Sequence, residues 1–406
     1  MCAVSALALL VRATNALAAD RITEKNLRFL EYPDFPQAHS SWGSIGYSAR
    51  YDKVFVGVTD HRERNALYEY DVATQKLRLL GFISEMAGLR DFQWQGKIHT
   101  YIVEGPDGGM YFGTDGGNDR QGMLTSHPHG YGGGFFFKWD PAAQRLGNLG
   151  MGLRYESLKN IAVDGVSGRL YGVTFPQAHL LVYDPGTNEL RDLGRMMAFH
   201  VPRCLFTDWW GNLYYVDWHQ RLVKYERETD QLHFARESLP FFPGTPGGFF
   251  ASGITAYASD EANGVVYLTT YGSKLLAFRP ARRGIGPVAD LGAVYDGTRE
   301  RWDYWCRNLS LGRNGRLYYF VGGHGRYTEH GDKVLMMEMD PRSRAKRLLM
   351  TFPFDILLDV PGRGVTDREG NIYFAARKAA PRARGIAESG ASVPQLLIFN
   401  PERELR

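Results

Sequence analysis

Asp208-Trp209-Trp210-Gly211-Asn212-Leu213-Tyr214-Tyr215-Val216-Asp217-Trp218-His219-Gln220-Arg221-Leu222-Val223-Lys224-Tyr225-Glu226 reads as a tight turn, a strand, a second turn and another strand. Asp and Gly supply the first turn, and a short apolar-aromatic run of strand length follows it. The core of this unit, Asn212-Leu213-Tyr214, recurs along the chain. Its other copies are Lys53-Val54-Phe55, Gly109-Met110-Tyr111, Arg169-Leu170-Tyr171, Val265-Val266-Tyr267, Arg316-Leu317-Tyr318 and Asn371-Ile372-Tyr373. Several copies are followed by a strand that ends in an aromatic and an acidic residue: Tyr70-Asp71, Trp139-Asp140, Tyr183-Asp184 and Tyr225-Glu226. A turn and a weaker fourth strand complete each unit.

Seven such four-stranded units predict an all-β, seven-bladed β-propeller. A sheet this small does not bury both faces alone, so the blades stack radially around a channel. The seventh unit runs out of chain after its third strand, Gln395 to Phe399, while Asn26 to Tyr32 alternates like a strand and has no partner of its own. The N-terminal strand is therefore expected to close the last blade, which removes two exposed sheet edges at once.

Composition narrows the function classes. A formal charge of +4 that includes 44 acidic residues excludes a uniformly basic, nucleic-acid-binding surface. No apolar run reaches the roughly 20 residues of a membrane-spanning helix. Ala3 to Val11 is apolar and precedes Ala16-Leu17-Ala18, a small-residue pattern of export signals, although no Lys or Arg precedes it and Arg12 ends it early. Residues 1–19 are expected to be a signal peptide and residues 20–406 the propeller, in a secreted or periplasmic monomer. Cys204 and Cys306, the cysteines left after cleavage, make no disulfide framework. The chain holds no Gly-x-Ser-x-Gly elbow, phosphate-binding loop or dinucleotide fingerprint, and no organic cofactor is expected.

The first strand of each blade lines the channel, and its beginning shares a mouth with the loop between the second and third strands. These loops are long in units two, six and seven. The second, Asp115 to Gly134, contains His127, His129, Gly130, Tyr131, Gly132 and Gly133, and the first strand of the same unit carries His99. The sixth brings His324, Arg326, Tyr327 and His330. The seventh brings Arg377, Lys378, Arg382 and Arg384, a basic rim whose plainer reading is a solvated loop. Five residues before the turn positions Asp164, Asp208 and Gly312 stand Lys159, Arg203 and Arg307, so three blades present a cation at an equivalent place. Their natural counterpart is an anion; the alternative is pairing with carboxylates of neighbouring strands. Cys306, His219, His324 and His330 carry metal-donor atoms at spacings that match no zinc motif. Trp42, Trp218 and Trp305 have faces suited to sugars.

Gly96-Lys97-Ile98-His99-Thr100, Asp107-Gly108-Gly109-Met110-Tyr111-Phe112-Gly113-Thr114 and His129-Gly130-Tyr131-Gly132-Gly133, within seven blades, resemble the polysaccharide lyases that cleave ulvan on a seven-bladed propeller. The likeness covers blade two, and the remainder only as general propeller pattern. It implies β-elimination on a uronate-containing anionic polysaccharide by two histidines, a tyrosine and an arginine, with a structural zinc in some members. By motif the histidines are His99 and His129, with His127 competing for the second place. Where the family tyrosine is expected this chain reads Thr174-Phe175-Pro176, which leaves Tyr131 and Tyr304 as alternatives. Arg203, taken on its register, is the arginine, and Lys159 and Arg307 join it as substrate-binding cations. Such a reaction needs the uronate carboxylate neutralised while the C5 proton is removed. Arg203 and His99 fit the first task, His129 the second as base, and Tyr131 the part of the acid. Two further readings stand beside the lyase: a non-catalytic propeller that binds glycans or proteins, and a metal-dependent lyase of small cyclic molecules.

Overall fold

The computed structural model describes residues 22–60, 64–90, 93–116, 131–196, 204–240, 253–296, 306–322, 333–380 and 392–405. They form seven antiparallel sheets, each a consecutive stretch of chain except the last, and the architecture is an all-β, seven-bladed β-propeller. Blade four runs Phe206–Thr207, Leu213–Val216, Arg221–Glu226 and Gln231–Ser238 from the channel outward. Alternation along its second strand sends Leu213 and Tyr215 into an apolar cluster shared with blade three. Tyr214 and Val216 go into the cluster shared with blade five. Every adjacent pair of blades shares such a cluster, so the cores lie between sheets and no blade buries its apolar surface without both neighbours.

The sequence repeat has a physical cause at the turn between the first and second strands. Asp208 Oδ1 accepts from the backbone N–H groups of Trp210 and Asn212, and Oδ2 accepts from Asn212 Nδ2 and from the Tyr214 hydroxyl, all within 3.0 Å. Asp367 does the same in blade seven with Glu369, Asn371 and Tyr373. In blade two Asp107 accepts from Gly109 N and Tyr111. One carboxylate thus satisfies a whole turn and fixes the tyrosine that follows it. Gly211 completes the turn at φ 83°, and a Cβ there would lie 2.0 Å from Asp164 Oδ1 of the neighbouring blade, so no side chain fits.

The ring closes as expected. Strand Leu27–Glu31 pairs antiparallel with Ser392–Phe399, in register from Leu27↔Phe399 to Glu31↔Gln395, and completes blade seven as its outer strand. Asn26 adds a clasp: its Nδ2 donates to the carbonyls of Asn400 and Arg403, each at 2.9 Å.

Two expectations are corrected. The first strand of blade two is not continuous but broken into Lys97–Ile98 and Val103–Glu104, both paired with Met110–Asp115, and His99 lies in the break. The Thr100 hydroxyl causes it, accepting from Gly113 N at 2.9 Å where a backbone carbonyl would stand in an unbroken ladder. Arg377 and Lys378 are not on a solvated loop. They belong to the strand Ile372–Ala379, and Arg377 is among the most deeply buried side chains described. The expected signal peptide, residues 1–19, lies outside the described residues, as does most of each long excursion.

Candidate functional site

The first strands run side by side around the channel, so residues at or just before their starts share one mouth. Trp42, His99, Asn160, Thr255, Arg307 and Pro361 come from six different blades and line a single cavity of about 20 Å³. That is room for one water molecule or one ligand oxygen.

His99 is buried, and its Nδ1 lies 3.1 Å from the Lys159 carbonyl. A carbonyl only accepts, so Nδ1 carries a proton and Nε2 is the basic nitrogen of the neutral ring. The Trp42 ring lies nearly parallel to this imidazole, 10° between planes. Lys159, from the strand Ser157–Val163, places Nζ 3.0 Å from Asp115 Oδ2 and 4.8 Å from the Phe175 ring. Phe175 belongs to the segment Thr174-Phe175-Pro176, where the resemblance to ulvan lyases implies a tyrosine. Lys97 Nζ lies 3.9 Å from the same Asp115 oxygen, and Ser157 Oγ donates to the other. Asp115 is fully buried and joins two lysines from neighbouring blades.

Tyr131 stands behind this pair, buried against Trp94. Burial, and then the negative charge of Asp115, push its phenol well above the usual range. The group therefore stays protonated and does not act as a base. On the other side of Trp42, in blade seven, Arg377 Nη2 makes a 3.0 Å ion pair with Asp359, and Cζ lies 4.9 Å from the indole centroid.

Among the described residues of this region, Lys97, Lys159, Arg307, Arg377, Asp115, Asp359 and Glu156 are all buried; Lys97 and Lys159 meet Asp115, and Arg377 meets Asp359. Of the residues singled out in the sequence, His99 and Arg307 line one cavity, the Lys159 backbone meets His99, and Tyr131 lies against Trp94. The structure adds Lys97, Asp115 and Asp359, which sequence reasoning did not place in the site, and it puts Arg377, read from sequence as part of a basic rim, into a buried ion pair. Asp115, the last residue of its strand, carried a readable signal, because a fully buried strand seldom ends in a carboxylate without a partner. His127, His129, Arg203 and Tyr304 lie outside the described residues.

The metal donors do not come together in the described part. Cys306 is fully buried, its thiol pushed up to about 12 by burial and directed at the Asn308 carbonyl. His219 is exposed beside Trp218. No group of three His, Cys, Asp or Glu suited to a metal occurs among the described residues, and His324 and His330 are outside them. Cys204 and Cys306 are both free thiols.

No family model and no curated protein matches the chain. Among solved structures it is similar to the RRP9 WD40 repeats at 11% identity and TM-score 0.58, over 92% of this chain and 97% of that one. It is similar to U3-55K at 13% identity and TM-score 0.56, over 92% and 98%. The Cps50 (Swd1) β-propeller domain of Myceliophteria thermophila matches at 11% identity and TM-score 0.55, over 89% and 97%. At these identities the likeness is one of fold: the chain shares the seven-bladed architecture of WD40 propellers, and nothing in it singles out the ulvan lyases.

Proposed function

We propose that this propeller binds a carboxylate- or sulfate-bearing glycan at the basic mouth of its channel. One observation carries the reading: Lys97, Lys159, Arg307 and Arg377, from four blades, are buried at one mouth around Trp42 and His99. Ammonium and guanidinium groups gathered beside one small opening suit a carboxylate or sulfate oxygen. The cavity accepts one such oxygen, and the sugar body lies outside it.

Turnover is the second reading, and one observation favours it. The Nδ1 hydrogen bond fixes the orientation of the His99 ring beside cations that would neutralise a uronate carboxylate. An oriented imidazole and a neutralised carboxylate are two of the parts β-elimination requires.

Titration calorimetry with ulvan and polygalacturonate oligosaccharides, followed by absorbance at the unsaturated-uronate band, tests both readings. Binding without absorbance leaves the binding reading, and a rise in absorbance that His99→Gln abolishes establishes the lyase. Lys159→Met is expected to weaken binding about tenfold, the loss of one charge-assisted contact. If neither polyuronate binds, and salt has no effect on any glycan tried, the proposal fails.

A further inference from the structure

The opposite mouth of the channel holds a second arginine in a different setting. Arg363, just before the strand Val365–Thr366, places Cζ 4.8 Å from the Tyr101 ring centroid and 4.6 Å from that of Tyr257. It makes no hydrogen bond or ion pair with any described residue, and its Nε is buried without an acceptor. Buried donors are almost always met, and a guanidinium offers five of them.

The two tyrosine faces supply attraction but no oxygen in reach of a hydrogen bond. Arg363 also lines a cavity of about 500 Å³, a size typical of small-ligand sites. The two carboxylates on its wall are already committed. Glu104 accepts from Ser48 Oγ and from the backbone N–H groups of Ala49 and Arg50, and Asp367 is consumed by its own turn. Tyr257, Ile102, Leu311 and Val365 give the same wall apolar surface.

We propose that Arg363 anchors a second ligand site, at the mouth opposite the basic cluster, which takes the carboxylate of a small organic acid with an apolar or aromatic body. The carboxylate meets the guanidinium edge in a bidentate pair, and the body lies on the apolar wall. The site shares no cation with the glycan mouth and does not depend on the reading of that mouth.

Benzoate and its neutral isostere benzamide are the probes. In wild-type protein, benzoate is expected to protect Arg363 from phenylglyoxal at least about threefold, read by peptide mass spectrometry, and benzamide is not. By calorimetry, Arg363→Gln is expected to weaken benzoate binding about tenfold or more, with partial recovery in Arg363→Lys. A short peptide with a free C-terminus, run against its amidated form, distinguishes a chain terminus from a free acid as the source of the carboxylate. Equal labelling of Arg363 with and without benzoate, or equal benzoate affinity in Arg363→Gln and wild type, overturns the site. The labelling arm uses unaltered protein and decides the question even if the variants fail to fold.

Discussion

Asp359→Asn separates the electrostatics of the basic mouth from its packing. Asp359 and Arg377 are 3% and 2% exposed and 3.0 Å apart, and the backbones of the same two residues bridge, with Arg377 N donating to the Asp359 carbonyl. An amide keeps the shape and leaves the guanidinium buried without its counter-charge. Breaking a buried pair from one side costs about 3–5 kcal/mol. The Trp42 contact with Arg377 is the same before and after the change, so the expected loss stays at about 3–5 kcal/mol. Denaturant unfolding of Asp359→Asn, Arg377→Met and the double variant measures it, and the double variant should lose less than the sum of the two. The same change raises the net positive charge of the mouth by one. At about 8 Å and an effective dielectric constant near 20, one charge is worth about 2 kcal/mol, or roughly thirtyfold tighter binding of an anionic oligosaccharide. If Asp359→Asn is equally destabilising with and without Arg377, the pair is not coupled. If stability falls but anion affinity does not rise, Arg377 is structural and the ligand sits elsewhere.

Asn26→Ala removes two donors from the carbonyls of Asn400 and Arg403, and is expected to cost about 2–4 kcal/mol. Amide exchange in Ser392–Phe399 should accelerate before that of other blades, and unchanged exchange there would show that the clasp contributes nothing. Asp230 is held down to about 2, first by hydrogen bonds from Arg191 and then by the Tyr225 hydroxyl. Its pKa is lowered on folding, so its stabilising contribution is complete above the ordinary carboxylate range and fades as pH falls from about 4 towards 2. Asp230→Asn should flatten that part of the acid limb in a pH series of melting temperatures, and an identical limb in both proteins would exclude the pair as its source.

The fold was legible because several repeats write their own turn: the aspartate of Asp208-x-x-Gly211-Asn212-Leu213-Tyr214, like Asp107 and Asp367, bonds to groups within six residues, so local sequence contains the whole device. The closing strand was legible for the opposite reason, as an alternating segment with no neighbour. In the site, Lys159 and Arg307 could be found by counting from the turn, since position along a first strand translates into position around the mouth. His99 was found, but not its break, because a threonine hydroxyl replacing a backbone acceptor has no signature in hydrophobic periodicity. Arg377 was misread as a loop residue, since its strand is longer than those of other blades and its partner Asp359 belongs to the preceding connection. Asp115 gains its meaning from Lys159, which is a neighbour only once blades two and three have stacked.

The pairing of Leu27 with Phe399 joins residues almost a full chain apart, and it has a consequence for the order of assembly. A growing chain can stack its first six sheets as they emerge, yet the seventh lacks an outer strand until the last forty residues have been made and the beginning of the chain returns to meet them. Contacts so distant in sequence are slow to form. The ring therefore stays open through the making of six blades, with one ribbon waiting for its partner, and closes only once Ser392–Phe399 has emerged.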